Sequence, residues 1–311
     1  MIALNLRRLL LLSAALPLAG CNTVLLSPSG YIAQQQGNLI IVSTLLMLLI
    51  IVPVIALIIL FAWRYRKSNT AVIYEPDWDH STRLELVIWG APLLIIIVLG
   101  TITWISTHKL DPYRALTHID ADRPIPAGTK PLIVEVVALD WKWLFIYPDL
   151  GIASLNELAA PVDVPIRFKI TSSTVMNSFY IPALAGQIYA MPGMQTSLNA
   201  VINKPGEFEG FSANYSGAGF SDMRFKFHGM SKEGFDGWVQ KVRDEGKVLR
   251  REGYIQLEKP SERVAVQRFG EVDASLFHAI VNRCVVVGQP CMDATMMKDA
   301  HAAMGHGNAK E

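Results

Sequence analysis

The chain has 311 residues, 51% of them hydrophobic, with 28 Lys and Arg against 27 Asp and Glu. That near-neutral balance gives no electrostatic footprint for nucleic acid or for a strongly acidic partner. Three cysteines are too few for a disulfide scaffold, and the length leaves room for about two domains.

Residues 1–20 read as a secretory signal: Arg7 and Arg8, an apolar stretch from Leu9, then small residues. The stretch ends in Leu18-Ala19-Gly20-Cys21, which resembles the cleavage box of bacterial lipoproteins. The resemblance implies that the signal is removed and that Cys21 becomes a lipid-bearing N-terminus. Residues 21–38, with Pro28, Gly30 and three glutamines, read as a periplasmic tether.

Two long runs without a charged residue follow, 39–63 and 86–107. Each is long enough to cross a hydrocarbon core of about 30 Å as a helix. The short polar segment between them, 64–85, carries Arg64, Arg66, Lys67 and Arg83, whereas 21–38 has no Lys or Arg. By the positive-inside rule the connecting loop is cytoplasmic. The N-terminal segment and everything after residue 107 then lie outside the cytoplasm. Pro53 and Pro92 do not oppose this reading, because neighbouring groups in a membrane bundle re-satisfy the carbonyls that Pro frees. The expectation is a transmembrane hairpin over 39–107.

Residues 108–130 contain Pro112, Pro124, Pro126 and Gly128 and read as a linker. From residue 131 the periodicity changes to alternation. Ile166-Arg167-Phe168-Lys169-Ile170-Thr171 puts apolar groups on one face and polar groups on the other, and Met223-Arg224-Phe225-Lys226-Phe227 does the same. Strands are predicted over 132–143, 166–171, 196–203, 208–215 and 223–227, with turns at 148–151, 192–193 and 205–206. Short strands punctuated in this way predict an antiparallel sandwich or barrel over 131–230. From Ser231 the pattern turns helical, with Phe235, Trp238, Val239 and Val242 on one face. A second helical stretch, 275–283, follows a break at Pro260, giving a C-terminal helical arm over 231–290. Residues 291–311 form a tail with Met292, Met296, Met297, His301, Met304 and His306. Sulfur and imidazole suit copper, but the irregular spacing reads as a solvated tail.

The lipoprotein box, the two-span hairpin and the external β-domain together resemble subunit II of the haem-copper respiratory oxidases. The implied fold is a two-helix transmembrane hairpin plus an all-β cupredoxin-like sandwich, with C-terminal helices. Leu139-Asp140-Trp141-Lys142-Trp143 resembles the aromatic segment of that family's β-domain, and Asn177-Ser178-Phe179-Tyr180-Ile181-Pro182 resembles its His-Ser-Trp-x-x-Pro segment. In members that oxidise cytochrome c, these segments and a later Cys-x3-Cys-x3-His-x2-Met loop hold a dinuclear copper centre. Two bridging thiolates share electron density between the coppers, and imidazoles complete the sites. Here the first His position is Asn177, the Cys positions are Tyr215 and Gly219, and the position of a glutamate carbonyl ligand is Gly217. The second His position is Met223 and the Met position is Lys226. No cysteine occurs between Cys21 and Cys284, so no shift of register restores the set.

A chain without that centre cannot take electrons from cytochrome c. The resemblance is then closest to the cytochrome bo-type ubiquinol oxidases, and Tyr215-Ser216-Gly217 with Gly219-Phe220-Ser221 looks like that branch. In that branch the haems, the copper and the quinol site belong to subunit I, so no metal or cofactor is expected on this chain. The implied function is that of subunit II in a proton-pumping complex that oxidises ubiquinol and reduces oxygen to water. The implied partners are subunit I, further small membrane subunits and the lipid bilayer. The implied place is the bacterial inner membrane, with the lipidated N-terminus and the C-terminal domain on the periplasmic side. The alternative is a membrane-tethered, metal-free cupredoxin that serves as a periplasmic binding or oxidase-assembly module.

Three further features stand beside the resemblance. The family places a carboxylate at the position of Glu85, at the cytoplasmic mouth of a proton pathway into subunit I; the plainer reading is an interfacial charge paired with Arg83. Trp141 and Trp143, two apart on one predicted strand, are expected to share a face. In copper-bearing relatives that aromatic patch helps cytochrome c docking, and here packing is the better expectation. Cys284 and Cys291 lie in an oxidising compartment, which permits a disulfide without requiring one.

Overall fold

Both long apolar runs are helices in the computed structural model, which describes residues 23–73 and 75–298. The signal segment, Cys21 and the tail residues His301, Met304 and His306 lie outside the described residues. Helix α1 spans Tyr31–Arg64 and α2 spans Thr82–Lys109. At 1.5 Å per residue they are about 51 and 42 Å long. Their most apolar windows have mean hydropathy 3.4 and 2.4, with no residue of either window buried. Helices apolar on every side need surroundings as apolar as themselves. They make up most of one unit of the chain, Gln35–Asp111.

Helix α1 starts inside the segment read as a tether. Proline, glycine and glutamine suggested irregular chain there, but Gln is a good helix former and the only proline, Pro28, precedes the first turn. The residues just before the helix belong to the second unit and dock on it. Gly30 N donates to the Ala183 carbonyl at 2.8 Å, and Asn203 N donates to the Ser29 carbonyl at 2.8 Å.

The second unit is a sandwich. One sheet takes β1 (Leu132–Leu139), β2 (Lys142–Tyr147), β3 (Ile152–Leu155), β5 (Ile166–Ser172), β8 (Thr196–Ala200) and β12 (Gln267–Phe269), in the order β12-β3-β2-β1-β5-β8. The other takes β4 (Glu157–Pro161), β6 (Asn177–Tyr180), β7 (Ile188–Ala190), β9 (Gly206–Ser212) and β10 (Arg224–Met230), in the order β4-β10-β9-β6-β7. Aromatic rings from the two sheets meet between them. Trp143 of the first sheet meets Phe179 of the second edge-on at 5.4 Å, and Phe179 stacks on Phe225 of its own sheet with centroids 5.6 Å apart. Each such ring contributes about 1.5–3 kcal/mol relative to exposure. This is the cupredoxin-like sandwich with C-terminal helices that the resemblance implied.

Three strand-level expectations are corrected. The run 132–143 is not one strand, because β1 and β2 turn back on each other at Asp140-Trp141. The sheets are not purely antiparallel: β1 pairs parallel with β5, and β4 with β10. Alternation reports which face is buried and carries no information on strand direction. The sheet also does not stop at residue 230, since β12 adds to β3 at the edge of the larger sheet.

Strand β2 is buried along its whole length. Its outer face is covered by the C-terminal arm: α3 (Lys232–Asp244), β11 (Val248–Leu249), α4 (Arg251–Glu258), β13 (Glu271–Val272) and α5 (Leu276–Val281). Leu144, Ile146 and Leu155 pack there with Tyr254, Phe269, Phe277 and Ile280. A strand buried on both faces reads as a continuous apolar run. Helix α3 matches its expectation, burying Phe235, Trp238, Val239 and Val242, with the Ser231 hydroxyl capping Gly234 N at 3.1 Å. Cys284 and Cys291, left open by the sequence, are joined as a disulfide.

One polar cluster ties arm to sandwich. Arg268 of β12 grips Glu157 of β4 with both ends of its guanidinium, at 2.6 and 2.8 Å. Trp238 Nε1 of α3 donates to the same carboxylate at 3.2 Å, and Arg268 also reaches Glu245 at 2.8 Å.

Candidate functional site

The sandwich brings most of the expected copper-ligand positions to one end. Strand β6 begins at Asn177, and its pairing with β9 (Phe179 opposite Ser212) sets it beside the connection 213–223. The buried Asn177 side chain accepts from Ser212 Oγ at 3.1 Å and donates to the Val175 carbonyl at 3.2 Å. Tyr215 is exposed, with its ring edge-on to Phe220 at 5.6 Å. Met223 is fully buried, and its carbonyl accepts from Trp143 Nε1 at 3.4 Å.

Lys226 holds the position that matches the family's Met ligand. It stands on the exposed face of β10 and pairs with Glu207. The two-residue alternation of β10 accounts for this: Phe225 and Phe227 point into the core, so Lys226 points out.

Trp141 fills the space around the connection. Its indole Nε1 donates to the Ser216 carbonyl at 2.9 Å. Its ring lies against Gly217 and Gly219, where a Cβ on Gly219 would stand 2.5 Å from Trp141 Cγ. Gly217 has φ +103°, a conformation few L side chains adopt. Trp141 and Trp143 therefore do not form a shared patch, which corrects that expectation. Trp141 sits in the β1–β2 turn at φ +64°, and Trp143 is in the sandwich core. Between them Lys142 is buried, with its ammonium donating to the Lys259 carbonyl at 2.8 Å and to Ser261 Oγ at 2.7 Å. Burial lowers its pKa below the ordinary lysine value.

The chemistry of this donor set does not fit a dinuclear copper centre. An amide, a phenol, two glycines and one thioether provide neither a bridging thiolate nor an imidazole. No electron-transfer step runs through a metal held by these side chains. Among the described residues, no three His, Cys, Asp or Glu side chains gather as a metal site.

Glu85 occupies the first turn of α2, where a carboxylate is favoured by the helix dipole. Its partner is His80, with Nδ1 2.8 Å from Oε1, and His80 Nε2 lies 3.1 Å from Thr82 Oγ1. The expected pairing with Arg83 is not the one formed. Residues two apart on a helix point in different directions. Sequence reading missed His80, Lys142 and the Glu157 cluster. His80 had a local signal, a titratable group just before the helix start. Glu157 had none, because Trp238 and Arg268 lie 81 and 111 residues away along the chain.

Comparison with known proteins gives matches over nearly the whole chain. The family described as "Cytochrome C oxidase subunit II, periplasmic domain" matches residues 150–229, and "COX Aromatic Rich Motif" matches residues 243–288. The chain is 48% identical to cytochrome bo(3) ubiquinol oxidase subunit 2 of Pseudomonas putida over 290 residues, covering 93% of this chain and 90% of that protein. It is 47% identical to ubiquinol oxidase subunit 2 of Acetobacter aceti over 303 residues, covering 96% and 95%. The crystal structure of the periplasmic domain of cytochrome oxidase subunit II of Bradyrhizobium japonicum is 25% identical, with TM-score 0.35, over 37% of this chain and 94% of that one.

Proposed function

The chain belongs to the subunit 2 family of the cytochrome bo(3)-type ubiquinol oxidases, and on that premise we propose that it serves the complex as a metal-free scaffold beside subunit I. The complex oxidises ubiquinol, reduces oxygen to water and pumps protons, with haems, copper and the quinol site in subunit I. Smaller membrane subunits complete it. The observation that carries this division of labour is the donor set at Asn177, Tyr215, Gly217, Gly219 and Met223. Purified full-length chain, incubated with copper in detergent, is expected to show no purple mixed-valence chromophore. A stoichiometric dinuclear copper spectrum overturns the metal-free reading.

The hairpin crosses the inner membrane twice, with the 64–85 loop in the cytoplasm and the β-domain in the periplasm. Four basic residues in the loop and none in 21–38 support that orientation. Glu85, at the cytoplasmic end of α2, takes up protons for a path into subunit I. Cys21 carries lipid and pins the mature N-terminus to the outer leaflet. Cys21→Ser is expected to abolish lipid attachment while leaving the protein in the membrane fraction, since two spans hold far more firmly than acyl chains. Recovery of the variant in the soluble fraction contradicts the hairpin.

A further inference from the structure

Two opposite charges that the oxidase reading leaves unused line one cleft of the C-terminal arm. The cleft has a volume of about 410 Å³ and is walled by the β5–β6 connection, α4 and the segment that carries the disulfide. That volume suits a small molecule. Glu258 lines it from the end of α4 and has no cationic partner among the described residues. Burial pushes its pKa up, and the Asp140 carboxylate adds to the rise. Arg283 lines the same cleft, with its Nε 3.7 Å from the point where a Cβ on Gly193 would stand. It makes no ion pair among the described residues, with Glu258 or with any other carboxylate. The two charges share a cleft without meeting.

Two hydroxyls set the Glu258 part of the cleft apart from ordinary surface. Ser173 Oγ and Tyr254 Oη are buried, and neither meets a hydrogen-bond partner. Tyr254 is fully buried, and Ser173 and Glu258 both act on its phenol, so the three polar groups are neighbours. Buried hydroxyls are normally satisfied. These two keep a donor in reserve beside a carboxylate. When a ligand cation holds Glu258 in its charged form, they have protons to donate to it. Ile255 and Val285 supply apolar wall, and Gln289 adds an amide.

We propose that this cleft binds a small zwitterion of the amino-acid or dipeptide class, with its ammonium on Glu258 and its carboxylate on Arg283 and Gln289. A lone anion pairs with Arg283 and leaves Glu258 unpaired. A lone cation pairs with Glu258 and is repelled by the guanidinium. A ligand with both charges pairs both groups at once. Tyr254 is a positioning residue that acts through Glu258.

The test is equilibrium dialysis of the purified full-length chain, in mild detergent, with radiolabelled Leu-Leu, whose side chains suit the apolar wall. Two analogues carry one charge each: N-acetyl-Leu-Leu keeps the carboxylate, and Leu-Leu-amide keeps the ammonium. Leu-Leu is expected to occupy one saturable site and to bind about tenfold or more tighter than either analogue. Glu258→Gln is expected to erase the preference for Leu-Leu over N-acetyl-Leu-Leu, and Arg283→Gln the preference over Leu-Leu-amide. Tyr254→Phe keeps the ring and is expected to weaken Leu-Leu while leaving N-acetyl-Leu-Leu unchanged; a merely structural role weakens both. Absence of saturable Leu-Leu binding overturns the proposal, as does equal binding of Leu-Leu and the two analogues by the wild type. If a variant fails to fold, the comparison of the three ligands on the wild type decides alone.

Discussion

Glu157→Ala is expected to lower the melting temperature of the chain by about 6–12 °C, the shift that about 3 kcal/mol produces in a domain of this size. Glu157 is buried, and its carboxylate receives Arg268, Trp238 and, at 3.5 Å, His228. Removing it leaves a largely buried guanidinium with only Glu245, and that unpaired charge accounts for most of the loss. The double replacement Glu157→Leu, Arg268→Leu removes both charges and is expected to recover most of the stability. The carboxylate also makes the contribution depend on pH. Burial pushes its pKa up, but Arg268 and Trp238 more than reverse this, and the net value is below the ordinary glutamate range. The folded state is then favoured above the unfolded pKa of about 4.3, and that advantage is lost as pH falls through the lower folded value. A shift under about 2 °C for Glu157→Ala shows that burial of the arm's apolar side chains, not this ion pair, holds it to the sandwich.

The arm is also where sequence reading reached its limit. The two long apolar helices were legible because a run of about 20 uncharged residues has few other uses. Helix α3 was legible because Phe235, Trp238, Val239 and Val242 fall at helical spacing next to a capping serine. Strand β12 has three residues and β13 has two, too short for any period to show. Their roles are set by partners far away in the chain, Leu155, Ser154 and Ala153 for β12. Strand β2 misled for a different reason. Its first residue is Lys142, so Trp141 belongs to the β1–β2 turn at φ +64° and not to the strand, and the inference that Trp141 and Trp143 share a face failed. The lack of a thiolate or imidazole at the expected copper-ligand positions was legible from residue types, because it needs no geometry. That Lys226 turns to solvent on β10 needed the structure.

Glu85→Gln is expected to reduce quinol oxidase turnover per haem by about tenfold or more while leaving the amount of assembled complex unchanged. Glutamine preserves the size of the side chain and its capacity to hydrogen-bond, but it does not take up and release a proton at neutral pH. The geometry separates this role from a structural one. Glu85 meets His80 at 2.8 Å, and both side chains are more than half exposed. An ion pair that open to solvent contributes little to stability, so its loss gives no reason for failed assembly. Arg83, on another side of the helix and not in contact with this pair, serves as the control: Arg83→Gln is expected to keep normal turnover per haem. A proton-uptake role also predicts that the Glu85→Gln defect grows when proton supply limits the rate, at alkaline pH on the cytoplasmic side. Unchanged turnover per haem in Glu85→Gln at both neutral and alkaline pH leaves Glu85 as an interfacial charge at a helix start and removes proton uptake from the functions of this chain.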